Sequence, residues 1–135
     1  MSEALLSYRS PGRVNLIGDH TDYTGGLVLP MAIDRYTTIS GIRTPSTIRL
    51  RSQNEPEPVE FELPISAPEK VTPSWGRYVA GVAAEMQNRA RGFEGEISCT
   101  IPIGAGLSSS AALEVATALA LGDTSTPVER AKLCQ

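Results

Sequence analysis

Apolar and polar positions form blocks along the first third of the chain, and these blocks predict β-strands. An apolar segment from Val14 to Ile17 suits a short buried strand, which Leu5 and Leu6 extend towards the N-terminus. A second apolar run covers Leu27 to Ile33, and the Thr- and Ile-rich stretch from Arg35 to Arg43 predicts another strand. The chain therefore begins with extended structure.

Two later stretches alternate strictly between apolar and charged residues. Thr47 to Ser52 and Val59 to Leu63 each place apolar side chains at every second position, which is typical of half-buried strands. A turn with two prolines separates them, so we expect an antiparallel pair with one wet face. The outward charges are interpreted as a solvated sheet face and not as a site: Arg49, Arg51, Glu60 and Glu62.

The second half of the chain carries helical patterns around one further strand. A helix is predicted to begin near Ser74 as N-cap and to end at Gly92. Gly95 to Pro102 predicts a strand, and an apolar helix then runs to Leu121. The first helix carries an amphipathic stripe at spacings of three and four: Trp75, Tyr78, Val79, Val82 and Met86.

The last segment has the signature of a capped helix. Thr126 and Glu129 form a predicted capping box, with Pro127 at the first helical position. We expect this helix to run into the C-terminus at Gln135. So short a helix depends on packing against other parts of a protein for its stability.

Composition places the chain among ordinary globular proteins of one domain. Of its 135 residues, 41% are apolar and 20% are charged, with a net charge of −3. This balance excludes the basic surface that nucleic acids or anionic membranes require. The sequence shows neither a secretory signal nor an apolar run of about 18 residues. Cys99 and Cys134 lack disulfide or zinc spacing, so we expect free thiols in the cytoplasm.

A polar loop between the first two apolar segments is the first candidate site. Asp19, His20 and Asp22 supply two carboxylates and the single histidine of the chain, which together offer acceptors and one donor for a ring of hydroxyls. Arg13 lies upstream, and its guanidinium suits neutralising developing negative charge. The alternative is a turn in which the two aspartates cap backbone amides.

A glycine-rich loop that leads into a helix is the second candidate site. Glycines let backbone amides converge on a phosphate, and a helix N-terminus adds about half a positive charge. The serines that follow offer hydroxyls to phosphate or magnesium. The alternative is a helix start of small residues packed on a sheet, and the Walker and dinucleotide glycine patterns are not matched. The segment contains Gly104, Gly106, Leu107, Ser108, Ser109 and Ser110.

Two motifs resemble those of a known family. GRVNLIGDHTDYTGG is similar to the galactokinase sugar-binding motif GRVNLIGEHTDYNGG, and IPIGAGLSSSAAL resembles the ATP motif P-x-x-x-G-L-S-S-S-A of the GHMP kinase superfamily. The resemblance implies that Asp19, His20 and Asp22 bind galactose and that Arg13 assists phosphoryl transfer. Asp19 stands where the family usually has Glu. That change shortens the side chain by roughly 1.5 Å and bears on sugar preference.

The resemblance also implies how the nucleotide is held. The six residues of the glycine-rich loop would bind ATP, and the Ser110 hydroxyl would contact Mg²⁺. The segment SWGRYVAGV resembles the place where galactokinases keep a tryptophan near the adenine ring, which points to Trp75. From the residues alone, the alternative for Trp75 is a core aromatic.

The implied fold is α+β, the N-terminal domain of a GHMP kinase with a mixed or antiparallel sheet and helices on one side. The whole of 1–135 is predicted to be the N-terminal part of that domain, truncated at its C-terminal end. The implied reaction is phosphoryl transfer from ATP to the anomeric hydroxyl of galactose. The family's catalytic aspartate, acidic magnesium ligand and third motif have no counterpart in the sequence, so we expect the isolated chain to be inactive.

Two other hypotheses remain open at this stage. The chain is alternatively a non-catalytic module that binds galactose or ATP, or a GHMP kinase for another sugar or small alcohol. The polar cluster GDHTDY argues against mevalonate- and homoserine-type relatives. Galactose and ATP are the expected partners, and the sequence does not indicate an oligomeric state.

Overall fold

A computed structural model describes residues 5–17, 29–102 and 109–134. Five strands form one sheet in the order β1-β2-β5-β3-β4. The first two strands are long, and β5 follows in sequence only after a helix. The strands are β1 (Leu6–Ile17), β2 (Leu29–Thr44), β3 (Thr47–Ser52), β4 (Val59–Glu62) and β5 (Gly92–Cys99).

The sheet is mixed, which is one of the two arrangements that the resemblance left open. β1 pairs with β2, β2 with β5 and β3 with β4 in antiparallel fashion, whereas β3 and β5 run parallel. In the described ranges three α-helices accompany the sheet: α1 (Gly76–Met86), α2 (Ser109–Ala120) and α3 (Pro127–Leu133). Helix α2 lies against β1 and β2, and α1 packs on α2. The α+β class is therefore confirmed.

One hydrophobic core joins the sheet to the first two helices. Phe93, Ile39 and Leu50 of the sheet are completely buried, as are Val79 and Met86 of α1. On β3 and β5 the neighbouring positions Arg49, Arg51 and Glu94 carry exposed charges and face the other side of the sheet. Burial of alternate strand positions against helices supplies the main stabilisation of the fold.

The predicted antiparallel pair is confirmed. β3 has the predicted bounds, and Arg49 lies opposite Glu60 with 3.5 Å between its Nε and a carboxylate oxygen. Both side chains are largely exposed, so this ion pair contributes little to stability. The ion pair is part of a solvated sheet face, as the alternation of apolar and charged residues along β3 and β4 indicates.

Several boundaries differ from the sequence prediction because tertiary pairing overrides local signals. β1 and β2 are each one continuous strand, whereas the sequence pattern divides them into shorter segments. Helix α1 is preceded at its N-cap by Trp75, without a side-chain capping bond, so the prediction of Ser74 was wrong. The helix ends at Met86, where Gln87 takes a left-handed φ of 55°. Gly92 does not end it but begins β5.

The C-terminal helix is attached through polar groups. The capping box of Thr126 and Glu129 is present, and α3 ends at Leu133 without a buried residue. Asp123, in the connection before it, has a fully buried side chain that accepts hydrogen bonds from Ser125 Oγ at 2.8 Å and Arg130 Nε at 2.7 Å. A buried carboxylate thus anchors an otherwise superficial helix.

The two cysteines are free thiols, as predicted. Burial raises the pKa of the Cys134 thiol to about 11, and the charges of Glu114 and Asp123 add to the effect. Within the described ranges no helix is long and apolar enough to cross a membrane.

Candidate functional site

A cavity of about 250 Å³ opens between the sheet and the first turns of α1 and α2. Its wall comes from five places in the sequence: β2, the end of β3 with the loop after it, the start of α1, β5, and the start of α2. It gathers polar and aromatic side chains that are distant along the chain. The lining residues are Thr37, Ser52, Asn54, Glu55, Trp75, Tyr78, Ile97, Cys99, Ser109, Ser110 and Leu113.

The floor of the cavity belongs to the sheet and is internally hydrogen-bonded. Thr37 is 2% exposed, and its hydroxyl donates to Cys99 Sγ over 3.4 Å. The Cys99 thiol in turn donates to the carbonyl of Ile101 over 3.6 Å, which is long for this weak donor. These polar groups satisfy one another, so the floor needs no ligand for its own stability.

Two aromatic side chains form one wall. Trp75 and Tyr78 are separated by three residues at the start of α1, which places both on one side of that helix. Trp75 is half-buried and packs partly against the core, while its Nε1–H donates to the Glu57 carbonyl over 3.0 Å. Trp75 therefore contacts the core, which is the alternative that the residues alone suggest, and it also lines the cavity.

The first turn of α2 forms another wall. Ser109 and Ser110 are its first two residues, and both line the cavity. Backbone amides at this end of a helix lack intrahelical partners and carry partial positive charge. Hydroxyls and amides at the mouth of a cavity are the groups that bind phosphate.

The described residues thus bring together three of the predicted nucleotide-binding positions: Trp75, Ser109 and Ser110. Arg13 lies on β1 opposite Ala32 of β2, beside a register shift, with its side chain exposed. The remaining predicted site residues lie outside the described residues: Asp19, His20, Asp22, Gly104, Gly106, Leu107 and Ser108.

The sequence did not indicate four polar members of the cavity wall, namely Thr37, Ser52, Asn54 and Glu55. Cys99 was recognised only as a free thiol. These residues lie on three strands and in the turn after β3, and their convergence depends on the strand order. In residues 5–17, 29–102 and 109–134, no three His, Cys, Asp or Glu side chains come together as a metal site.

Two family models match the chain. The model of the galactokinase galactose-binding signature matches residues 2–42, and that of the GHMP kinases N terminal domain matches residues 77–135. Of the cavity-lining residues between Trp75 and Leu113, all except Trp75 itself lie within the second match.

Two galactokinases align with most or nearly all of the chain. Galactokinase from Bos taurus is 42% identical over 146 residues, covering 99% of this chain and 37% of that protein. Galactokinase from Thermococcus kodakarensis is 46% identical over 112 residues, covering 79% of this chain and 30% of that protein. The chain therefore spans about a third of the length of these relatives.

Two solved kinase structures superpose on nearly the whole of this chain. The Lactococcus lactis galactokinase complexed with galactose superposes with a TM-score of 0.84 at 34% identity, over 97% of this chain and 36% of that one. The Methanococcus jannaschii mevalonate kinase gives a TM-score of 0.78 at 25% identity, over 98% of this chain and 45% of that one.

Proposed function

Since the chain belongs to the galactokinase family of the GHMP kinases, we propose that it supplies the ATP site and the sugar-binding loop of a galactokinase. The reaction is transfer of the γ-phosphoryl group of ATP to the anomeric hydroxyl of galactose, giving galactose 1-phosphate. The observation that carries the proposal is the convergence of Trp75, Ser109 and Ser110 on one cavity.

The character of the cavity supports a nucleotide ligand. Trp75, Tyr78, Ile97 and Leu113 offer apolar and aromatic surface to a base, and the serines at the start of α2 lie where phosphates would follow. At about 250 Å³ the cavity is smaller than the usual range for drug-sized ligands. It therefore suits the base and ribose, with the phosphates extending towards the glycine-rich loop.

The sugar side of the proposal rests on the family motif. Asp19, His20 and Asp22 would accept and donate hydrogen bonds to galactose hydroxyls. Arg13 would offset negative charge that develops on the transferred phosphoryl group. The shorter Asp19 leaves room for a water-mediated contact, so the preference for galactose over other sugars is part of the proposal.

Magnesium fits the donor set on the cavity wall. This ion is commonly held by substrate phosphates, waters and only one or two protein oxygens, and Ser110 offers one such oxygen. When bound, it would neutralise charge on the phosphates during transfer. The residues of this chain would orient the nucleotide and the sugar.

A non-catalytic binding module is the second candidate. Such a module would bind galactose or ATP without transferring a phosphoryl group. Galactose-dependent ADP formation by the 135-residue chain separates the two. Turnover that Arg13→Ala abolishes would show that these 135 residues carry out the transfer themselves, whereas binding of both ligands without turnover would show that they contribute only the binding sites.

Ser110→Ala is expected to weaken ATP binding about fivefold to tenfold, since one hydrogen bond to a charged phosphate is lost. Trp75 is the sole tryptophan of the chain, so its fluorescence reports nucleotide binding directly. Ser66→Ala, at an exposed position in the loop after β4, serves as the matched control. Unchanged ATP affinity in Ser110→Ala would show that this hydroxyl faces no phosphate.

Asp22→Ala is expected to weaken galactose binding by about 1–3 kcal/mol, because a sugar hydroxyl loses its acceptor. The measurement is a calorimetric titration with galactose, with Ser110→Ala as the reciprocal control that should retain sugar affinity. Equal galactose affinities of the wild type and Asp22→Ala would show that Asp22 is only a turn residue. If only Ser110→Ala lost sugar binding, the assignments of the sugar site and the nucleotide site would have to be exchanged.

A further inference from the structure

The loop that connects β3 to β4 forms one side of the cavity through Asn54 and Glu55. Its N-terminal end is fixed, because the Gln53 amide donates to the Ile97 carbonyl over 3.1 Å and so extends the ladder between β3 and β5. The Asn54 and Glu55 amides both turn back on Ser52, over 3.3 Å each. All six residues from Gln53 to Pro58 are exposed, so the loop gains little from packing.

A single side chain joins the far part of this loop to the helices. The indole N–H of Trp75 donates to the Glu57 carbonyl over 3.0 Å, across a separation of 18 residues. Pro56 and Pro58 flank the acceptor and have no amide to donate. Among the described contacts, this hydrogen bond is the one that connects Glu57 to the rest of the protein.

We propose that Trp75 is a positioning residue, whose indole N–H holds the β3–β4 loop in place as the second wall of the cavity. Its ring contributes one wall directly, and its N–H fixes Asn54 and Glu55 on the other. Both functions depend on the position of Trp75 immediately before α1. The consequence for ATP rests on the proposed function, whereas the consequence for the loop does not.

Removing the N–H while keeping the ring isolates this role. Since Trp75 is the only tryptophan, growth with an analogue replaces it alone throughout the chain. Benzothienylalanine has the shape of tryptophan but carries sulfur in place of the N–H, and 5-fluorotryptophan is the control that retains the donor. We expect hydrogen exchange at the Asn54 and Glu55 amides, which are hydrogen-bonded to Ser52, to accelerate about threefold to tenfold only with the sulfur analogue.

The nucleotide measurement completes the test. ATP is expected to bind the sulfur-substituted protein about threefold to tenfold more weakly, by calorimetry, with faster dissociation and unchanged exchange in the middle of α1. Faster loop exchange with unchanged ATP affinity would overturn the positioning role, as would unchanged loop exchange. If the unsubstituted protein does not bind ATP, the proposed function fails, and the exchange experiment still decides whether the indole holds the loop.

Discussion

Replacing Gly41 with alanine is expected to lower the free energy of unfolding by about 3 kcal/mol, or the melting temperature by about 10 °C. Gly41 of β2 lies directly opposite Gly95 of β5. A Cβ on Gly41 would come within 2.6 Å of the Gly95 Cα and 2.8 Å of the Glu94 carbonyl carbon. These are backbone atoms, so the two strands would have to separate.

The same substitution at the opposite glycine, Gly95, tests the same close approach, and the substitution at Gly81 is the control. Gly95→Ala meets Gly41 Cα at 2.8 Å and should be equally destabilising. In contrast, a Cβ on Gly81 of α1 has nothing within 4 Å. Gly81→Ala should therefore stabilise the protein by about 0.5–1 kcal/mol. Urea unfolding measures all three, and a Gly41→Ala protein as stable as wild type would contradict the close approach of the strands.

Asp123→Ala is expected to cost about 3–5 kcal/mol at neutral pH. The substitution leaves the Arg130 guanidinium, whose side chain is only 19% exposed, without the carboxylate that faces it. Arg89 lies farther from the same carboxylate, at 3.7 Å, and is half exposed. Because α3 has no buried residue of its own, its attachment should be lost first.

The effect should depend on pH in a defined direction. Burial alone raises the pKa of Asp123, but hydrogen bonds from Ser125 and Arg130 outweigh it and hold the pKa below its ordinary value of 3.8. The ionised carboxylate is therefore favoured in the folded state. Its stabilisation is complete above about pH 4 to 5 and is lost as the pH falls through the lower pKa of the folded state.

Urea unfolding of wild type and Asp123→Ala at pH 7 and at pH 2.5 measures this dependence, and the difference between the proteins should shrink in acid. Asp34→Ala is the control, since Asp34 forms an exposed ion pair with Arg35 and should change stability by less than about 1 kcal/mol. A difference for Asp123→Ala that is as large at pH 2.5 as at pH 7 would show that folding does not lower the pKa of this carboxylate.

Local patterns predicted the elements whose structure depends on near neighbours. The alternation in 47–52 gave β3 its bounds, and Thr126 with Glu129 identified the start of α3. In both cases the relevant interactions lie within a few residues. The glycine-rich segment likewise announced a helix, which begins at Ser109.

Features that depend on distant partners were not predictable in the same way. The single long β2 exists because β1 and β5 pair along it, and no pattern within 29–44 indicates that continuity. The start of α1 was misplaced because a turn from Pro73 to Trp75 replaces side-chain capping at Ser74. Of the cavity wall, Trp75, Ser109 and Ser110 came from motifs, whereas Asn54 and Glu55 reach it through the sheet order.

The central position of β5 has a consequence for how the chain folds during synthesis. β1–β2 and β3–β4 are hairpins of neighbouring strands, so each can form as soon as it leaves the ribosome. They share no edge until β5 enters between β2 and β3, more than forty residues after β3 begins. Until Cys99 has emerged, β2 and β3 lack the partner that β5 later provides, so the strand edges that face β5 in the folded sheet stay open to pairing with other chains.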